Sequence, residues 1–312
     1  VDHGARTSMA AAYGLADRAA AVPNTIDTRF AIASGMKGLT ALTVVSLVDD
    51  GVLTLETTAR SLLAGDLPLI DDGVTVEQLL AHRSGIGDYL DEETLQDITE
   101  YVLTVPVHTL TSTEQYLTQL DGHPQKFAPG TDFAYCNGGY VVLALLAERA
   151  AGRPFAELVR ERVCAPGDMH DTAFLRSDEL PPGVARGYLG DSGWRTNVLH
   201  LPVLGTGDGG IYTTVADVHR LWEALTRGDI VPPHHAREMT RPRSDAPRQQ
   251  ARYGLGFWIH GSRDAPYLEG YDAGVSFRSV CDRETGIVHT VISNTSDGAW
   301  TVTYRLDDLL LT

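Results

Sequence analysis

Apolar residues between Gly35 and Val48 do not keep to one stripe. Met36, Leu39, Leu42, Val44, Val45, Leu47 and Val48 surround nearly the whole helical circumference, the pattern of a helix buried on most sides. Gly51 is placed to stop it. Just upstream, Thr25 to Ile32 alternates apolar and polar positions as a half-buried strand does. That strand ends at Ser34, and a short amphipathic helix before it opens the chain.

From about Thr57 to Pro202, helical patterns alternate with long loops rich in Gly, Pro and Asp, which predicts a mainly helical insertion. Thr214 and Asp217 form a capping box ahead of Val218, Leu221, Trp222 and Leu225, so a helix follows the glycines at 207, 209 and 210. Gly254 to His260, Val275 to Cys281 and Gly286 to Asn294 read as an antiparallel meander, and Ala299 to Leu311 as a last helix. The sheet therefore draws strands from both ends of the chain. The expectation is an α+β fold: an antiparallel sheet flanked by helices forms a body from residues 1–56 and 203–312, and a mainly helical subdomain spans 57–202. The active site belongs in the crevice between them.

Composition narrows the partners. A formal charge of −16 disfavours nucleic-acid phosphate and anionic lipid. No apolar run reaches membrane-spanning length; the Ala-rich stretch from Met9 to Val22 is interrupted by Asp17 and Arg18. The chain opens at Val1, which leaves two compartments open: the cytoplasm, or export with a leader absent from this chain. Oligomeric state is equally open. Cys136, Cys164 and Cys281 are odd in number and lack the paired spacing of zinc or redox motifs, so they read as unpaired, mostly buried thiols.

Ser34 and Lys37 lie three residues apart at the start of the buried helix, which puts both side chains on one face. A serine hydroxyl is a weak nucleophile until a base takes its proton, and a desolvated lysine has its pKa lowered toward that role. The chain uses arginine at almost every basic position and lysine only at 37 and 126; arginine does not deprotonate and cannot serve as that base. The competing reading of Lys37 is a solvent-facing ammonium. A second element, Tyr135-Cys136-Asn137, precedes the apolar helix from Tyr140 to Ala150. Asn137 caps that helix, holds a substrate carbonyl, or does both; Tyr135 is a core aromatic or a phenol for proton transfer. Cys136 between them reads as packing.

Taken together, Ser34-Gly35-Met36-Lys37, Tyr135-Cys136-Asn137, Leu79-Leu80-Ala81-His82-Arg83-Ser84-Gly85, Pro129-Gly130, Gly209-Gly210-Ile211-Tyr212-Thr213-Thr214 and Tyr253-Gly254-Leu255-Gly256 carry a resemblance nearly end to end. The chain resembles serine hydrolases of the β-lactamase and penicillin-binding protein superfamily, of the class C β-lactamase, esterase and D,D-peptidase type. The resemblance implies that Ser34 is acylated, that Lys37 and Tyr135 share proton transfers, that Asn137 orients a small-molecule or short-peptide substrate, that His82 and Ser84 shape the fold, and that no metal and no organic cofactor takes part.

One motif departs. Where the family carries Lys-Thr-Gly or His-x-Gly on a cleft strand, this chain has Gly270-Tyr271-Asp272-Ala273-Gly274, in a register open by one residue. Tyr271 then stands in for the cation that would pair with a substrate carboxylate, and the N–H groups of Ser34 and Gly274 form the oxyanion hole. Three readings follow: an ester or amide hydrolase for uncharged substrates, a β-lactamase or D,D-carboxypeptidase drawing its cation from Arg252 or Arg278, and a non-hydrolytic binding or sensing protein. Gly274 to Arg278 lacks the final glycine of a nucleophile elbow. His234 and His235 lack metalloprotease spacing and read as exposed, and the pocket walls are expected around Tyr89, Tyr116 and Trp194.

Overall fold

Burial on all sides organises the molecule. The computed structural model, which describes residues 1–4, 6–95 and 97–311, sets α1 (Met36–Asp49) between a sheet and a layer of helices, with every residue from Met36 to Leu47 buried. Lys37 is among them, at 2% exposure. Gly51, at φ +73°, ends the helix as expected.

The N-terminal strands β1 (Asp2–His3) and β2 (Arg6–Thr7) join the C-terminal strands in one antiparallel sheet. β3 (Leu15–Asp17) and β4 (Val22–Pro23) form a separate hairpin. β5 (Phe30–Ala31), β6 (Ala173–Phe174) and β7 (Ile211–Thr213) make a small sheet in the order β5-β7-β6. The main sheet is completed by β8 (Ser244–Ala246), β9 (Ala251–Tyr253), β10 (Trp258–His260), β11 (Pro266–Asp272), β12 (Val275–Asp282) and β13 (Ile287–Ser293), in the order β2-β1-β13-β12-β11-β10-β9-β8.

The middle stretch supplies α2 (Ala59–Leu63), α3 (Val76–Leu80), α4 (Leu117–Leu120), α5 (Asn137–Ala151) and α6 (Phe155–Val159). After it come α7 (Val215–Arg227), α8 (Pro233–Met239) and α9 (Trp300–Leu310). α1 packs on α5 and α6 on one side and on β11 on the other. Leu268 of β11 and Phe277 of β12 enter the same core cluster. The opposite face of the sheet meets α9, whose Asp307 pairs with His289 at 2.8 Å and Arg278 at 3.4 Å. No helix among the described residues is long and apolar enough to cross a membrane.

Several local expectations need correction. The opening segment is not a helix: Gly14 sits at φ +73°, and Asp17 Oδ1 accepts the Ala19 and Ala20 N–H groups, turning the chain into the β3–β4 hairpin. The strand expected from Thr25 shrinks to Phe30–Ala31, because Thr25 to Thr28 closes a hydrogen-bonded turn. Gly254 to Phe257 is also a turn, closed by Gly254 N–H to Phe257 O at 2.9 Å, so that strand begins only at Trp258. Half of the capping box forms: Thr214 accepts the Asp217 N–H, but the Asp217 carboxylate turns to Thr172 and the Asp171 N–H. Strand β11 escaped the pattern altogether, since its Pro, Glu, Gly and Asp residues disguise it.

Gly270 fixes how closely β11 approaches the end of β5. A Cβ there would lie 2.0 Å from the Ile32 carbonyl oxygen and 3.0 Å from the Gly35 nitrogen, and backbone on both sides cannot yield as a side chain would. Gly270→Ala should therefore lower stability by on the order of 1–3 kcal/mol and move the strand off Ser34. Denaturant melts combined with turnover test this; an alanine variant with wild-type stability and activity would show the contact to be loose.

Candidate active site

The chain enters the site along β5, reverses through Ala33 at φ +44°, and passes through a 3-10 turn, Ala33–Gly35, directly into α1. A non-glycine residue at positive φ costs on the order of 1–3 kcal/mol and persists only where its surroundings dictate it. Here it aims Ser34 out of the first turn of a helix, where N–H groups have no intrahelical partner. One turn on, Lys37 Nζ lies 2.8 Å from Ser34 Oγ, 2.8 Å from Asn137 Oδ1 and 3.0 Å from the Asp208 carbonyl oxygen.

Those three contacts suit either protonation state. A charged ammonium donates to all three; a neutral amine donates to Asn137 and Asp208 and turns its lone pair to the Ser34 hydroxyl. Burial lowers the Lys37 pKa below its ordinary value, and the carboxylates of Asp208, Glu92 and Asp88 pull partly the other way. The solvent-facing alternative for Lys37 is excluded by its enclosure.

Tyr135 neighbours the same hydroxyl. Burial raises its pKa well above normal, Glu92 adds to the rise, and the neighbouring Ser34 side chain works against it, so the phenol stays protonated. Its ring is held between His82, at 4.3 Å between centroids, and Trp258, stacked at 5.7 Å. His82 is 1% exposed, and its Nδ1 accepts the Cys136 N–H at 3.1 Å, which ties the landmark loop to the Tyr135 segment and supports a structural part for it. Cys136 does more than pack: it is the N-cap of α5, its sulfur accepting the Gly139 N–H at 3.3 Å. Asn137 opens that helix instead of capping it, and its Nδ2 donates to Glu92 at 3.1 Å and to the Leu90 carbonyl. Asp88, missed in the sequence, accepts the N–H groups of Asn137 at 2.6 Å and Gly138 at 2.8 Å; burial nonetheless raises it to about 6.

Strand β11 corrects the reading of the third motif. Asp272 and Val275 close a two-residue turn and so form a hydrogen-bonded pair. Antiparallel alternation then leaves Tyr271 opposite Ser276 without ladder bonds to β12, and its N–H faces the other edge, where the Ser34 turn packs against Gly270. Gly274 does not join the site. It sits in the turn at φ +71°, and its N–H donates to Ser296 Oγ at 2.9 Å. The glycine pressed against the nucleophile turn is Gly270, which makes the matching triplet Leu268-Glu269-Gly270. Leu268 packs over Gly38 in the core, and the Tyr271 ring lies 6.1 Å from that of Trp300. Tyr271 thus occupies no cation position, although the position it was thought to fill holds no cation either.

Ser34 opens into a cleft walled by Tyr89, Tyr101, Tyr116, Asn137, His200, Tyr212, Tyr271 and the carboxylates of Glu92, Asp208 and Asp272. Trp194, expected in the wall, is 70% exposed and lies outside it. Arg252 donates to the carbonyls of His260 and Arg263, and Arg278 pairs with Glu269 and Asp307, so both are committed elsewhere. Glu92, Asp208 and Asp272 were not foreseen. Asp208 lay inside the glycine cluster already singled out, which was its only signal. Asp272 rises to about 7, chiefly by burial, with Asp208 and Glu92 adding to it and Lys37 opposing. His234 and His235 lie on α8 beside Asp49, at the far end of α1 from Ser34; among the described residues these three are the one His, Cys, Asp and Glu group close enough to hold a metal.

Comparison with known proteins agrees with this geometry. A family profile described as Beta-lactamase matches residues 1–312. The crystal structure of a penicillin-binding protein from Bacillus halodurans superposes with a TM-score of 0.92 at 34% identity, covering 99% of this chain and 95% of that one. Esterase EstB of Burkholderia gladioli is 34% identical over 172 residues, 54% of this chain and 44% of its own. A D-aminopeptidase of Brucella canis is 31% identical over 251 residues, 78% of this chain and 45% of its own. The chain thus spans about half the length of these two curated relatives.

Two predictions follow from the geometry. Tyr135→Phe should lower turnover by roughly a hundredfold or more, while Cys136→Ser, whose hydroxyl can still cap α5, should stay within a few fold; steady-state kinetics on both folded variants decides. For Asp272, the ordinary pKa of 3.8 rises to about 7 on folding. The folded state then binds the proton more tightly than the unfolded one, so this group's contribution to stability falls as pH climbs from about 4 through 7. Asp272→Asn should raise Tm over wild type by more at pH 8 than at pH 5. An advantage that is flat or shrinking with pH contradicts the assignment.

Proposed function

The chain belongs to the β-lactamase family, and from that premise we propose that it is a serine acyl hydrolase that forms an acyl-enzyme on Ser34. The observation that carries the proposal is the 2.8 Å contact between Ser34 Oγ and an enclosed Lys37 amine. In the proposed reaction Oγ attacks the carbonyl carbon of an ester or amide while Lys37 Nζ takes the hydroxyl proton. The carbonyl oxygen, now an oxyanion, is held by the N–H groups of Ser34 and Tyr271. As the tetrahedral intermediate collapses, the Tyr135 phenol gives its proton to the leaving alkoxide or amine and regains one from Lys37. Water then attacks the acyl-enzyme, gives its proton back through the same pair, and releases the acid with Ser34 restored.

In this reading residues 1–56 and 203–312 form the body, 57–202 the helical subdomain, and the reaction takes place in the crevice between them. Asn137, bridging Lys37 and Glu92, orients the substrate. A β-lactamase or D,D-carboxypeptidase needs a cation for the substrate carboxylate; with Leu268 in the motif, neither Arg252 nor Arg278 is free to supply it. Substrates without a carboxylate near the scissile bond are therefore favoured.

A fluorophosphonate should label wild-type protein at Ser34 and leave Ser34→Ala unmodified by intact mass. A short-chain nitrophenyl ester should then be turned over with kcat/KM at least about a hundredfold above that for nitrocefin. Efficient nitrocefin hydrolysis would reverse the substrate preference, and unlabelled wild-type protein would return the chain to a non-hydrolytic part.

A further inference from the structure

Resting on the acyl-hydrolase reading, we infer that the cleft selects acyl donors carrying a protonated amine close to the scissile carbonyl. The cleft is the one that Ser34 lines, and the selecting groups are the carboxylates that share its wall. Glu92, Asp208 and Asp272 line it together, and no arginine or lysine does so among the described residues. His200, the other basic residue there, is driven toward its neutral form by burial and by Arg195.

Each of these carboxylates accepts a single hydrogen bond among the described residues: Glu92 from Asn137 Nδ2 at 3.1 Å, Asp208 from the Tyr89 hydroxyl at 2.5 Å, and Asp272 from the Ala273 N–H at 2.8 Å. A carboxylate has room for about four, so most of the acceptor capacity of three acids is left for whatever fills the cleft. Lys37 cannot meet it, because its three donor positions face Ser34, Asn137 and the Asp208 backbone. Burial above all, with the charges of Asp208 and Glu92 added to it, keeps Asp272 from ionising easily. A ligand cation answers both conditions, supplying donors and offsetting those charges.

Position adds direction. Glu92 accepts from the same Asn137 amide whose oxygen meets Lys37, and Asp208 and Asp272 line the one cleft that holds Ser34, so the acids share the space next to the proposed nucleophile. Tyrosine rings from 89, 101 and 116 in the same wall favour an ammonium over other polar groups. A net charge of −16 steers cations toward the molecule. An uncharged substrate, the expectation from the missing cation alone, leaves the carboxylates unanswered.

The test compares the 4-nitroanilides of D- and L-alanine with their N-acetyl counterparts, using the same chain and leaving group. At pH 7 the better free-amine enantiomer should be favoured in kcat/KM by at least about tenfold, and the preference should fade as the amine deprotonates. In Glu92→Gln and Asp272→Asn that ratio should fall toward unity; the wild-type pH dependence remains decisive even where a variant fails to fold. Fluorophosphonate labelling runs in parallel. Ser34 labelled, with both substrate forms cleaved alike or the acetylated form preferred, overturns the amine proposal and leaves the acyl-enzyme intact. Ser34 unlabelled and no substrate cleaved removes both.

Discussion

The enclosure of one primary amine governs this structure. Lys37 sits at 2% exposure on a helix whose other residues through Leu47 are equally hidden, and an isolated ammonium in such a place would cost many kcal/mol. Two things make the position tenable: three acceptors at hydrogen-bonding distance, and the freedom to shed the proton. Providing the acceptors requires α5 on one side, through Asn137, and the glycine cluster on the other, through the Asp208 carbonyl. Keeping water out requires the sheet, brought close by Gly270 and filled in by Leu268. The two-layer wrapping of α1 is thus what the proposed reaction relies on to make Lys37 its base.

The same burial divides labour between two residues that a solvated site would leave alike. Desolvation moves Lys37 and Tyr135 toward their neutral forms, one by lowering its pKa and the other by raising it. A neutral amine can accept the serine proton; a neutral phenol can only donate. Their order in the proposed reaction follows from that asymmetry, with no cationic third motif needed to hold a tyrosinate. The carboxylates of Asp208, Glu92 and Asp88 oppose the shift at Lys37 that burial causes.

What the sequence made legible tracks local periodicity. A helix apolar on all sides, a Ser-x-x-Lys at its start and a Tyr-Cys-Asn before a second apolar helix are patterns within one turn or one strand, and they survive into the structure. The failures are of two kinds. The opening segment and Gly254 to Phe257 have the right composition for regular elements but carry a glycine at positive φ or an aspartate that captures backbone N–H groups, which ends the pattern. Strand β11 has the opposite problem: its proline, glutamate, glycine and aspartate are poor strand formers, and two of them, Gly270 against the Ser34 turn and Asp272 in the cleft wall, sit at the site. The misplaced register at Gly270 and Gly274 comes from the same source, since two glycines four apart are indistinguishable until one is seen pressed against Ile32 and the other turning a hairpin. Glu92, Asp208 and Asp272 reach the cleft from three loops or loop ends separated by more than a hundred and fifty residues of chain, and no linear pattern brings them together.

This arrangement separates reaction from selection. Bond breaking is assigned to main-chain N–H groups and to side chains anchored on α1 and at the start of α5, where a change disturbs the core. Selection falls to side chains at loops and at a strand end, where a change of charge alters what binds without unpacking anything. A leucine in the third motif illustrates the consequence. Losing a cation there removes attraction for carboxylates but leaves the oxyanion donors untouched, because they belong to the backbone. Acids gathered around the same cleft then move its preference past neutral, toward ligands of opposite charge.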